Sequence, residues 1–244
     1  MVTRLAGENL VNEICMKTSD GFWKLSPSGL YGFEDCKACF WIENNIGRHP
    51  FTLPLRLNDA MDEKLKNRYD SFRVKGEKPP ELATISDVRL FDNLVLLNEW
   101  RNNRTALRYV NDRDGYVLEG KLDEVLVNKN DELIPADYKS SGDAPKFDKQ
   151  KYYRLQLHGY ALMLQEKGYS VSGAAYLFHY FTKERTDPSL FMELAFHPDK
   201  VILDIERFRK TMRAIVDFLE GPYPGAQEGC KRCVWIEKHK NIII

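Results

Sequence analysis

The stretch VLEGKLDEVLVNKNDELIPADYKSSG, residues 117–142, decides the reading of the fold. Two strand-like runs, KLDEVLVN and ELIPADYKS, flank the polar turn NKND, the signature of a hairpin. Charges interrupt both runs: Asp123 lies within Leu122–Val127, and Asp137 and Lys139 bracket Tyr138. Charged side chains seldom enter a buried sheet without a partner or a metal. Alternation along a strand puts Asp137 and Lys139 on one face and Tyr138 on the other. With the turn centred near Asn130, Asp123 falls almost directly across from Asp137, with Cβ atoms ~5 Å apart. Two opposed carboxylates destabilise a hairpin, and a divalent cation between them reverses that sign. Mg²⁺, or Mn²⁺ in its place, suits one or two carboxylates completed by water and substrate phosphate. Beside such a cation, the Lys139 ammonium can orient a water and stabilise charge developing on a phosphate. The cation itself lowers the pKa of water. These residue types suit hydrolysis of a phosphodiester. The plainer reading is an edge hairpin whose Asp and Lys are solvated or paired with each other; Asp-x-Lys alone is common, and the matching Asp123 weighs against it.

Outward from the hairpin, residues 148–168 (DKQKYYRLQLHGYALMLQEKG) predict a helix with an apolar stripe through Leu155, Tyr160 and Leu164, stopped at Gly168. GAAYLFHYF and LFMELAFH read as strands, and residues 199–221 as one long amphipathic helix. YVLEG, residues 116–120, is a further strand. Upstream, residues 57–76 form a polar helix ended by Gly76, and LSPSGLYGFEDCKACFWIEN is a short helix with Ser26 as cap and Pro27 in its first turn. Residues 1–24 and 82–110 carry no clear pattern. The alternation of helices and strands gives an α/β fold with a central mixed sheet flanked by helices.

The chain has 244 residues, 43% of them hydrophobic, with 36 basic and 36 acidic side chains. A core is assured, and bulk charge does not draw the protein to nucleic acid, so any such attraction needs a local patch. Lys146, Lys149, Lys151 and Arg154 form one candidate, or a solvated helix face. The first residues show no secretory leader, and no run approaches the ~18 apolar residues of a membrane span. A soluble, cytoplasmic protein with no membrane partner is expected, its cysteines reduced.

Those cysteines form two Cys-x-x-Cys pairs, Cys36 with Cys39 and Cys230 with Cys233. Four thiolates suit tetrahedral Zn²⁺ or an iron–sulfur cluster, and a site shared by segments 26–42 and 222–238 clasps both ends of the chain together. Cys15 can replace one ligand, although its neighbour Ile14 favours simple burial. Neither pair sits in the βαβ context of a thioredoxin-type redox motif. The five histidines, 49, 158, 179, 197 and 239, show no ligand spacing, and His158 reads as a helix-surface residue.

GKLDEV, then PADYKSSG, then QLHGY, in this order, resemble the PD-(D/E)XK nuclease superfamily and within it the RecB-like branch, which includes CRISPR-associated nucleases. The matching residues are Gly120 with Asp123, Asp137 with Lys139, and Gln156 with Tyr160; Ser26, Pro27, Ser28 and Cys36 match that branch's opening. The resemblance implies a restriction-endonuclease-like core at about residues 50–220 within one domain spanning 1–244. It implies metal-dependent hydrolysis of single- or double-stranded DNA, in the manner of a RecB-like exonuclease of DNA repair, recombination or defence. Gln156 and Tyr160 then position the site or a DNA phosphate; otherwise Tyr160 is core, its hydroxyl satisfied by Gln156. Two departures stand out. The first core helix lacks the branch's histidine, and Asp62, Lys66 and Asp70 recur there at helical spacing with Arg73 adjacent. Asp62 is the first candidate for the missing ligand and Glu63 the second, against a solvated, salt-bridged face. The branch holds a [4Fe–4S] cluster through one early and three late cysteines, whereas here the division is two and two, so Zn²⁺ and a cluster both stay open. The rival reading is a non-catalytic nucleic-acid-binding module with a structural Zn or Fe–S site. A third is a sequence-specific, restriction-type endonuclease.

Overall fold

The computed structural model describes residues 16–47, 56–145, 150–183 and 193–239. The hairpin forms as β5 (Glu124–Asn128) and β6 (Leu133–Ser141). Its turn is built by Asn128, whose Oδ1 accepts from the Asn130 and Glu132 N–H groups at 2.9 and 3.0 Å. Asp131 takes the left-handed conformation, with φ 59°, which a short polar side chain tolerates.

The hairpin is the centre of a five-stranded sheet in the order β2-β5-β6-β7-β8, where β2 is Val88–Leu90, β7 Ala174–Thr182 and β8 Leu194–Ile202. β6 and β7 are parallel and the other neighbours antiparallel. A parallel pair needs a crossover; it is α5 (Gln150–Glu166). A smaller sheet has the order β1-β4-β3, from Trp23–Leu25, Tyr116–Gly120 and Leu107–Asn111.

Strand alternation sorts the core onto two faces. Val125, Val127 and Leu177 pack with Leu157 and Tyr160 of α5 and with Phe208, Met212 and Ile215 of α6 (Ile205–Glu220). Leu126, Ile134, Ala136, Tyr138 and Phe178 pack with Leu65 and Tyr69 of α3 (Arg56–Val74). Helices therefore flank a mixed sheet on both sides, as the sequence implies, in a restriction-endonuclease-like core. Among the described residues, no helix is long and apolar enough to cross a membrane.

Three expectations change in detail. The helix over 199–221 starts only at Ile205: Lys200–Ile202 pair with Tyr176–Ala174 as the end of β8, and Asp204 caps the helix by accepting from the Arg207 N–H at 2.9 Å. The expected helix at 25–44 is a turn at Pro27–Gly29 followed by α1 (Tyr31–Asp35) and α2 (Lys37–Asn45), broken where Cys36 is extended (φ −150°, ψ 106°). Residues 82–110 hold β2, α4 (Leu94–Arg101) and the start of β3. The last element among the described residues is α7 (Lys231–His239).

Candidate active site and cysteine centre

Glu124 pairs with Ala136 and Val125 with Pro135, so the next step in register sets Asp123 across from Asp137. The Tyr138 N–H points at Asp123 Oδ2, 3.4 Å away. Asp137 is buried, and its Oδ1 accepts from Gln156 Nε2 at 2.7 Å. Its Oδ2 is sealed from solvent and meets the Lys139 ammonium, 2.6 Å away, as an ion pair. Gln156 Oε1 accepts from Lys139 Nζ at 3.2 Å, and Gln156 Nε2 also donates to the Tyr160 hydroxyl at 2.9 Å. Asp123, Asp137, Lys139, Gln156 and Tyr160 thus converge on one point between the hairpin and α5. The Tyr138 side chain leaves by the opposite face, where its hydroxyl donates to Glu124 Oε2 at 2.9 Å.

Burial pushes the Asp137 carboxyl up to about 7; Lys139 opposes this and Asp123 adds to it. For Lys139, burial alone lowers the ammonium, but Asp137 and Asp123 outweigh it and hold the group above its ordinary value. Burial, then the charges of Asp137 and Asp123, raise the Tyr160 phenol, which stays protonated. Lys139 Nζ also sits over the Tyr153 ring, 4.4 Å from its centroid, a cation–π contact.

Asp62 reaches this group at one remove. Lys66 Nζ lies between the two acids, 2.6 Å from Asp62 Oδ2 and 2.9 Å from Asp123 Oδ1. Burial, followed by the charge of Asp123, raises the Asp62 carboxyl. Glu63, the second candidate, is exposed on α3. An open cleft of about 340 Å³ lies over the acids, lined by Asn58, Asp59, Asp62, Asp123, Lys139 and Tyr153. Asp70 and Arg73 do not belong to a solvated face. Arg73 pairs with both Asp70 and the fully buried Glu124, while Arg101 of α4 reaches Asp70 Oδ2 at 2.7 Å and Glu124 Oε2 at 3.2 Å. Arg101 Nε also donates to the Asp123 carbonyl at 2.8 Å, so this network fixes the backbone of the first acid.

The sequence puts Lys66, Asp70 and Arg73 on one helix face but does not show what they meet, and it leaves Tyr153, Glu124 and Arg101 unmarked. The signal for the first three was their spacing along the helix from Asp62. Of the basic patch, Arg154 is paired with Glu34 at 2.5 Å, Lys151 is exposed, and Lys146 and Lys149 lie outside the described residues, as does Cys15. His158 is half-buried: its Nδ1 meets the Arg154 carbonyl at 2.7 Å, and its Nε2 accepts from the Asp204 N–H at 3.0 Å, tying α5 to the start of α6.

The donor set fits a hard divalent cation. Asp137 is a buried carboxylate whose pKa is raised by burial and by Asp123, and that second carboxylate stands across the hairpin, so a dication there relieves both costs. Among the described residues, no group of three or more carboxylates converges tightly enough to ligate one ion. Water and phosphate would complete the coordination, as Mg²⁺ prefers.

The four cysteines do converge. All four Sγ atoms lie within 4.8 Å of one another, close enough to bind a metal or a cluster. Cys36 Sγ lies 3.6 Å from that of Cys233, and Cys39 Sγ lies 3.7 Å from those of Cys230 and Cys233. Cys36, Cys39 and Cys233 are buried and Cys230 is partly so.

The family model of the PD-(D/E)XK nuclease superfamily matches residues 52–237, a span holding the hairpin, α5 and the second cysteine pair but not the first. No curated protein matches the chain. On that match, over about three quarters of its length and across the very strands that carry the two acids and the lysine, the chain belongs to the PD-(D/E)XK nuclease superfamily of metal-dependent nucleases.

Proposed function

We propose that the protein is a Mg²⁺- or Mn²⁺-dependent deoxyribonuclease of the RecB-like type. The observation that supports this reading most is Asp137 itself: a buried carboxylate set across from Asp123, with its Oδ2 2.6 Å from the Lys139 ammonium. Asp123 and Asp137 would hold the cation, with Asp62 brought in when Lys66 releases it. A divalent ion there supplies Lewis acidity to the scissile phosphate and to water. Gln156 does the orienting: through one amide it fixes Asp137 Oδ1 and the Lys139 ammonium together. Lys139 keeps its proton and turns its charge toward the phosphate, where it aligns the attacking water and offsets the charge that builds in the transition state. Tyr160, protonated and buried, holds Gln156 in its rotamer. The reading extends to an exonuclease of DNA repair, recombination or defence, acting on single- or double-stranded DNA in the cytoplasm. The ordered motifs and the RecB-like opening at Ser26–Cys36 support it, and one domain over residues 1–244 is proposed with it.

One observation favours a second reading. The Lys139–Asp137 and Lys66–Asp123 pairs already neutralise both acids, which suits a binding module that keeps the fold without chemistry. The test is to incubate the purified chain with single- and double-stranded DNA, with and without Mg²⁺ or Mn²⁺. The nuclease cleaves only with the cation, and Asp137→Ala lowers the rate at least about 100-fold. Equal cleavage by both proteins, or retention of DNA by the wild type without cleavage, refutes the reading.

A further inference from the structure

We infer that Cys36, Cys39, Cys230 and Cys233 bind one tetrahedral zinc ion, and not the [4Fe–4S] cluster that the RecB-like resemblance implies. The spacing of the sulfurs distinguishes the two. Four thiolates around a single ion with Zn–S bonds near 2.3 Å sit at the corners of a tetrahedron, about 3.8 Å apart. The contacts here are 3.6, 3.7 and 3.7 Å, and all four sulfurs fit within 4.8 Å of one another. In a four-iron cluster each thiolate terminates a different iron and points outward from its own corner of the cube. The sulfurs then stand apart by more than the iron–iron edge, with sulfide and iron between them. Sulfurs in near van der Waals contact leave no room for that core, and three of these cysteines are buried among their neighbours.

The local backbone agrees with a single ion. Each pair straddles the start of a helix: Cys36 caps α2, with Cys39 in its first turn, and Cys230 immediately precedes α7, with Cys233 in its first turn. The Cys39 N–H points back at Cys36 Sγ, 3.4 Å away. N–H donors and helix N-termini offset the negative charge left when four thiolates surround a dication. Two such half-sites, one from each end of the chain, make a closed structural centre with every ligand position filled by protein.

A redox-inert ion makes this centre a fastener for the site. The segment leading into Cys36 passes through Pro27, whose ring lies against Gly120, three residues before Asp123, and against Gly159, between Gln156 and Tyr160. Binding metal there would hold that arm on β4, which leads into Asp123, and on α5, which carries Gln156 and Tyr160.

The test reads metal, not cleavage, so it stands whether or not DNA is cut. The full chain is purified without oxygen from cells supplied with both iron and zinc, then analysed for metals and acid-labile sulfide. About one zinc per chain, no sulfide and a colourless protein are expected. Iron at this centre in any stoichiometry, or sulfide, overturns the inference. In a second measurement, chelator-stripped protein is titrated with Co²⁺. Thiolate-to-cobalt and tetrahedral d–d absorption should saturate at about one equivalent and disappear on adding about one equivalent of Zn²⁺. Cys230→Ser should weaken those bands, and Asp137→Asn should leave them unchanged. Saturation well above one equivalent, or no thiolate band, overturns it equally.

Discussion

The contact between Pro27 and Gly120 permits a quantitative test of how the N-terminal arm is seated. A Cβ at Gly120 would lie 2.7 Å from Pro27 Cδ and 3.1 Å from Cγ, inside the closest approach of carbon atoms. The proline ring is rigid, so relief must come from backbone movement. Overpacking of this kind costs about 1–3 kcal/mol. Replacing glycine in a strand returns roughly 0.4–1 kcal/mol by restricting the unfolded chain. Gly120→Ala should therefore lose up to about 2.6 kcal/mol, with a middle value of about 1.3 kcal/mol. In a chain of this length that lowers the thermal midpoint by roughly 2–4 °C per kcal/mol. Pro27→Ala should also destabilise, because Pro27 is buried, but it opens the space the new methyl needs. The double variant should then be more stable than the sum of the two losses, with a coupling of about 1–2 kcal/mol. The assay is a four-protein cycle followed by circular dichroism in urea, comparing midpoints at constant slope. Strictly additive losses would mean that the arm does not lie against β4.

Three further outcomes follow from the site and its support. Gln156→Leu leaves Asp137 Oδ1 and the Lys139 ammonium without their shared partner; Mg²⁺-dependent cleavage should fall roughly 10–100-fold, chiefly in kcat, with little change in melting. Glu124→Gln removes the buried charge between Arg73 and Arg101 and should destabilise by about 3–5 kcal/mol, read as a shift in the urea midpoint, whether or not metal is present. His158 is held below its ordinary value by burial, and its neutral ring accepts the Asp204 N–H. Its contribution to stability is therefore complete above the unfolded value near 6.5 and is lost as pH falls through the lower folded value. The melting temperature of His158→Gln should fall less than that of the wild type between pH 7 and pH 5, and parallel curves would refute this.

The hairpin could be read from the sequence because its determinants are local: alternation, a polar turn and charges on one side. The same holds for Gln156 and Tyr160, four apart on a helix whose apolar stripe fixes its orientation. The boundary at residues 199–204 could not. DKVILDIERF has helical spacing throughout, and only pairing with β7 draws Lys200–Ile202 into the sheet. The Lys66–Asp123 pair and the Arg73 and Arg101 contacts to Glu124 were hidden for a related reason: they join residues of α3 and α4 to the start of β5, far apart in the chain, so no window of sequence contains them. The cysteine pairs announced themselves by spacing, but whether they meet, and at what separation, is a property of the closed fold.

Asp123 and Glu124 are adjacent acids given opposite duties, one turned to the cleft and the other clamped by arginines. A slip of one residue in β5 would offer the longer side chain of Glu124 to the cleft and bring the apolar Val125 beneath the guanidinium groups. The protein so formed would keep its composition, its helices and most of its burial, yet lose the short, rigid reach of an aspartate opposite Asp137. Asn128, by dictating where the chain reverses, therefore sets which acid faces Asp137 from about five residues away.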